Sequence, residues 1–301
     1  MAAKIELLKI RDLGEVVTDT FIFVRQNFKE MIKCFFIFCG FFLLAGALFG
    51  AMQQVKMLGT LNYLKAGAPP QLFDPERIFA NFGLEYFLQL FFLMLGYIMI
   101  QVTTLSYMAL YKEKGNMPPT TEEVWGYIKY FYFKLLGSGI VIGLLVIVAT
   151  LLCILPGVYL YPIMALVFPI MVYENTSFGY AFNRSFKLIK ENWWLTFGCI
   201  VIMSIIVSMA SMIFLLPAMV INIINMVLHI TKGEQVSFTL TIITTLVESL
   251  GHLFYMVPIV TISLCYFNLT ETLDGTGLIG RLGQLGNAAP ENNAPAEEEE
   301  Y

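Results

Sequence analysis

Residues 135–173 read LLGSGIVIGLLVIVATLLCILPGVYLYPIMALVFPIMVY, with no charged side chain anywhere in the run. A helix needs roughly 20 apolar residues to cross the ~30 Å hydrocarbon core of a bilayer, so this stretch is about twice one crossing. Pro156-Gly157 divides it, because a Pro-Gly pair marks a turn and stops a helix. Two crossings follow, 135–154 and 158–173. Working outward, the other charge-free stretches are 34–55, 86–111, 192–231 and 249–270. The stretch 192–231 is interrupted by Pro217, which predicts a crossing over 193–216 and a short apolar segment, 218–230, in the outer interface. The total is six crossings.

The composition agrees. Of 301 residues, 58% are apolar and 13% charged, and mean hydropathy is +0.73. A soluble domain is about a quarter charged. Water is therefore not the main solvent, which excludes a soluble enzyme and a disordered chain. With 18 Lys+Arg against 22 Asp+Glu there is no basic surplus for nucleic acid. If the N-terminus is cytoplasmic, the inner segments carry 14 Lys/Arg and the outer segments only Lys56, Lys65, Arg77 and Lys232. That bias predicts both termini inside a bacterial inner membrane. Residues 1–33 lack the pattern of a cleaved signal, so the first crossing serves as its own targeting signal.

An internal repeat precedes the crossings. At an offset of 165, Gly14 falls on Gly179, Phe21 on Phe186, Arg25 on Lys190, Asn27 on Asn192 and Phe28 on Trp193. A weaker copy contains Trp125, Ile128, Lys129 and Tyr132. Leu13, Val17, Phe21, Val24 and Phe28 share a helical stripe, as do Phe178, Phe182, Phe186, Ile189 and Trp193. An apolar stripe with a basic flank beside a crossing describes a helix lying in the membrane interface. Thr120 and Glu123 form a capping box that opens the middle copy. The expected fold is an all-α polytopic membrane protein, six transmembrane helices arranged as three repeats of an interfacial amphipathic helix plus a transmembrane hairpin. The repeats cover about 10–111, 120–174 and 177–270 within a single membrane domain, 1–286. Asp74-Pro75 starts a short outer helix, Leu278, Ile279, Leu282 and Leu285 mark a last amphipathic segment, and 287–301 is a disordered acidic tail.

Candidate functional residues are few. Arg25, Lys129 and Lys190, with Trp193 beside the last, are placed for contact with anionic headgroups. The same charges also serve to fix topology. A polar path could run along Thr103, Thr104, Ser204 and Ser208, with Glu248 and His252 four apart on one helix face. The plainer reading of these residues is helix-to-helix packing and an interfacial pair, and Gly46/Gly50 and Gly139/Gly143 are G-x-x-x-G packing pairs. Cys34, Cys39, Cys153, Cys199 and Cys265 lack C-x-x-C spacing, and the His spacing fits no metal site; neither a catalytic residue nor a cofactor is predicted.

The run Phe168-Pro169-Ile170-Met171-Val172-Tyr173-Glu174, followed by Ala181-Phe182-Asn183-Arg184-Ser185-Phe186-Lys187-Leu188-Ile189-Lys190 and Trp193-Trp194, resembles the six-helix bacterial membrane proteins related to the membrane domain of some glycerophosphodiester phosphodiesterases. Tyr266-Phe267-Asn268-Leu269 with Gly275-Thr276-Gly277-Leu278 is similar to uncharacterised Bacteroidetes-type members of that group. The resemblance implies a six-helix membrane fold. It brings no phosphodiesterase activity, because the soluble barrel is absent, and a carotene-oxygenase label fails because such enzymes need four histidines and the chain has His229 and His252. The expected function is a non-enzymatic lipid-contacting or accessory/scaffold component of the envelope, with membrane lipids and other inner-membrane proteins as partners. The alternative is a small-molecule or lipid transporter.

Overall fold

The computed structural model describes residues 4–65, 82–232 and 238–275, and these are helical with no strand among them. The helices are α1 (Leu13–Lys65), α2 (Leu84–Glu113), α3 (Thr121–Leu152), α4 (Ile154–Ala165), α5 (Val167–Tyr173), α6 (Phe178–Ile189), α7 (Trp193–Lys232), α8 (Phe238–Leu250) and α9 (Met256–Asp274). A 3₁₀ turn, Gly251–Tyr255, joins α8 to α9. Among the described residues six spans are long and apolar enough to cross a membrane: Leu13–Met57, Leu84–Glu113, Thr121–Leu152, Ile154–Tyr173, Trp193–Asn225 and Phe238–Asp274. The helix start at Asp74, the segment 278–285 and the acidic tail lie outside the described residues.

Local chemistry sets the helix ends. Thr120 accepts from the Glu123 amide at 3.4 Å while its own amide donates to the Glu123 carboxylate at 2.7 Å, the expected capping box. An unforeseen second box opens α1, where the Glu15 amide donates to Asp12 Oδ1 and the Asp12 amide to Glu15 Oε2. Asn175 (φ 48°) reverses the chain between α5 and α6, and Gly275 (φ 59°) ends α9, two positions where a left-handed backbone suits Asn and Gly.

Proline placement corrects several boundaries. The chain turns at Cys153, which is extended (φ −167°, ψ 141°), and Pro156 is the third residue of α4 rather than the turn itself. Pro169 and Pro258 are likewise the third residues of α5 and α9. The first four amides of a helix have no intrahelical acceptor, so a proline there costs no hydrogen bond. Each proline thus follows its helix break by a fixed distance. Pro217 lies inside α7, which runs unbroken to Lys232, so 218–230 is no separate segment. The last span begins at Phe238, eleven residues before the expected 249, and is interrupted by the 3₁₀ turn instead.

The flanking helices also differ from expectation. The 13–28 and 121–134 segments continue without a break into the crossings of α1 and α3; only the third copy, α6, is a separate helix. α6 packs along α5 and α4. α1 and α2 run antiparallel: a Cβ on Gly46 would touch Leu93 and one on Gly50 would meet Gln89 at 2.9 Å, so this G-x-x-x-G pair is a packing contact. Its counterpart is only half so, because Gly139 faces Ile98 and Gly143 faces open space.

Candidate functional site

One end of the bundle is tied by buried polar groups. The Arg11 amide donates to Asn268 Oδ1 at 2.9 Å, and Asn268 Nδ2 donates back to the Arg11 carbonyl at 3.1 Å. The Arg11 guanidinium is fully buried and donates to Asp19 at 2.7 Å and to the Leu7, Lys9 and Glu6 carbonyls. This folds the N-terminal segment, with Ile5 and Leu7 buried, against α9. Nearby, Tyr107 donates to Asn27 at 3.0 Å, Thr20 meets Thr261 at 3.2 Å and Tyr173 donates to Ser263 at 2.8 Å. Arg184 of α6 binds both Glu174 and Asp274, and Tyr266 donates to Glu174 at 3.0 Å. Burial alone disfavours the Arg184 charge, but the carboxylates of Asp274 and Glu174 outweigh it and raise the guanidinium above its ordinary value. Sequence reasoning singled out neither Arg11 nor Glu174 as a tie point; the Tyr266-Phe267-Asn268 run was the signal near them.

In the three flanking segments the face turned into the protein lies beside the apolar stripe, and in α6 it shares Ile189 with it. In α1 the buried positions are Val16, Thr20, Phe23 and Asn27, while Phe21 and Phe28 are exposed. In α6 they are Ala181, Ser185, Leu188 and Ile189, while Phe178 meets Phe182 at a tilt and Phe182 meets Phe186 edge-on along the half-buried flank. In α3 they are Val124, Ile128, Phe131 and Leu135. Small and polar residues such as Thr20 and Ser185 tolerate close packing because their hydroxyls bond back to their own helix, Thr20 to Val16 and Ser185 to Phe182. Phe21, Phe28 and Phe186 of the stripe stay exposed, because large apolar side chains at a membrane need not be buried in protein.

Of the candidate headgroup residues, Arg25 is exposed on α1 and Lys129 is exposed, 5.7 Å from the Trp125 ring. By the burial pattern Lys129 occupies the register of Phe21, one turn from that of Arg25. Lys190 and Trp193 are brought together. They line a groove of about 490 Å³ between the turn Lys190–Asn192 and the first turns of α4. Its walls are Leu155, Val158, Tyr159 and Phe197, its rim Lys190 and Glu191, and Trp193 and Trp194 complete it. Trp193 is stacked between Tyr159 (5.6 Å) and Phe197 (4.9 Å), and its indole N–H donates to the Tyr159 carbonyl at 3.1 Å. Trp194 stands edge-on to Trp193 and is 77% exposed.

The polar path is not assembled. Thr103 and Thr104 are buried in α2, the latter bonded to the Ile100 carbonyl, whereas Ser204 and Ser208 are on the exposed face of α7. Glu248 accepts from Asn222 at 3.5 Å, and Asn222 in turn accepts from Thr244. His252 lies in the 3₁₀ turn with Nδ1 at 3.0 Å from the Ser249 carbonyl, so the helical four-residue relation to Glu248 is lost. Among the described residues no three His, Cys, Asp or Glu side chains converge as metal ligands. Comparison with known proteins returns no match to the chain from a family model, a curated sequence or a solved structure.

Proposed function

We propose that the chain is a non-enzymatic inner-membrane protein that holds phospholipid in a groove on its surface and serves as an accessory or scaffold component of the envelope. The groove at Lys190 and Trp193 carries this reading. It offers apolar walls for acyl chains, aromatic rings of the kind enriched at membrane interfaces, and a cation for a phosphate. The strong Lys/Arg bias supports termini on the cytoplasmic side. The proposed threefold repeat is supported by burial: the 4-3 spacing of Val16-Thr20-Phe23, Val124-Ile128-Phe131 and Ala181-Ser185-Leu188 recurs, with hydroxyls at Thr20 and Ser185. The likeness to six-helix phosphodiesterase-associated membrane domains is part of the same proposal.

The test is to replace Arg25, Lys129 and Lys190 together with Gln and weigh the anionic lipid that co-purifies from native membrane. The proposal expects a several-fold loss, most of it reproduced by Lys190→Gln alone. Full lipid retention in a normally inserted variant overturns it. The transporter reading draws on the broken helix at 251–255 beside Glu248. It weighs less, because its Thr and Ser positions lie apart.

A further inference from the structure

The groove pairs opposite charges on adjacent residues, and this carries the lipid reading one step further. Lys190 and Glu191 are both exposed on the turn before α7, and neither joins an ion pair among the described residues. Arg184, on the helix before them, is by contrast matched by Glu174 and Asp274. Below the two charges is an aromatic wall in which Trp193 is used on both faces, by Tyr159 and Phe197, while Trp194 is largely open. An anionic headgroup would satisfy Lys190 but would be repelled by Glu191. A zwitterion satisfies both. A lysine ammonium suits a phosphate as a point charge, a carboxylate accepts from an ammonium, and an open indole face attracts a cation within about 6 Å. Leu155 and Val158 give the groove apolar walls suited to acyl chains.

We infer that this groove selects a zwitterionic aminophospholipid, its phosphate on Lys190 and its ammonium between Glu191 and Trp194. The inference rests on the lipid-holding reading and narrows its ligand. It is tested by native mass spectrometry of the full chain in detergent, titrated in parallel with dioleoyl phosphatidylethanolamine and dioleoyl phosphatidylglycerol. Wild type is expected to favour the ethanolamine lipid by about fivefold, the scale of one exposed charge contact plus a cation–π contact. Glu191→Gln brings the ratio to about one, Lys190→Gln weakens both lipids, and Lys190→Arg restores them. Equal or better binding of phosphatidylglycerol by wild type, or a preference that survives Glu191→Gln, overturns the selectivity. Undiminished retention of both lipids in the folded Lys190→Gln and Trp194→Ala variants overturns the lipid-holding reading itself.

Discussion

Helix α3 and the Trp193–Asn225 part of α7 have the highest mean hydropathy of the six spans, 2.7 each, yet only 11% and 22% of those windows is buried. The span of α2 and the last span, α8 through α9, are the least apolar, at 1.8 and 1.6, and are 50% and 61% buried. A water-soluble protein shows the reverse order, with its most apolar elements inside. Here Leu144, Ile147 and Leu151 of α3 and Ile205, Met209 and Ile213 of α7 face outward, while Asn27, Thr103, Thr261, Ser263 and Asn268 are inside. Hydrocarbon explains the inversion. Apolar side chains gain little by leaving lipid for protein, so central positions are taken by residues that pack closely or bond across helices. Polar groups are driven inward because lipid gives them no partner.

The contrast can be broken by substitution. The largest effect is expected at Arg11, whose buried guanidinium is replaced by an apolar side chain in Arg11→Met. Removing one partner of a buried, hydrogen-bonded charge pair costs about 3 kcal/mol, to be read as a lower midpoint in detergent-denaturant unfolding. Next is Leu144→Lys on the exposed face of α3, which places a charge in hydrocarbon at about 2.5 kcal/mol. Lower insertion efficiency measures it, and Leu144→Ala serves as the near-neutral control. Glycine offers a sharper pair one turn apart on α3. Gly139→Leu forces a side chain onto Ile98, 2.9 Å from the new Cβ, and costs about 2 kcal/mol by overpacking. Gly143→Leu meets open space and is expected to leave stability within about 0.5 kcal/mol. The smallest loss expected of a removed contact belongs to Tyr107→Phe, about 1 kcal/mol, from losing the bond to Asn27; it vanishes in an Asn27→Ala background.

Much of the fold was legible in the sequence, and the reasons divide cleanly. Charge-free runs locate spans because hydrocarbon excludes ions, and the Thr120–Glu123 box and Gly46/Gly50 contact followed from local rules. Burial did not follow, because an aromatic stripe such as Phe178, Phe182 and Phe186 satisfies lipid as well as protein. Proline was misread at 156 and 217: its effect depends on whether it falls in a first turn or a helix interior, and sequence alone does not locate the turn. Of the candidate site, Lys190 and Trp193 were visible as a basic residue and an interfacial aromatic. Leu155, Val158 and Tyr159 were not, because they reach the groove from a helix more than thirty residues earlier. Glu248 and His252 failed as a pair because the 3₁₀ turn between them leaves no mark in residue spacing.

The central claim is that α3 and α7 present their apolar faces to lipid. It is tested most directly by spin labels on single cysteines at Leu144, Ile147, Ile205, Met209 and Ile213 in the reconstituted protein, comparing collision with oxygen and with a water-soluble nickel chelate. The account predicts high oxygen and low nickel accessibility at all five, with both low at Val102 and Leu264. High nickel accessibility along either helix, or both low along α3 and α7, would contradict it.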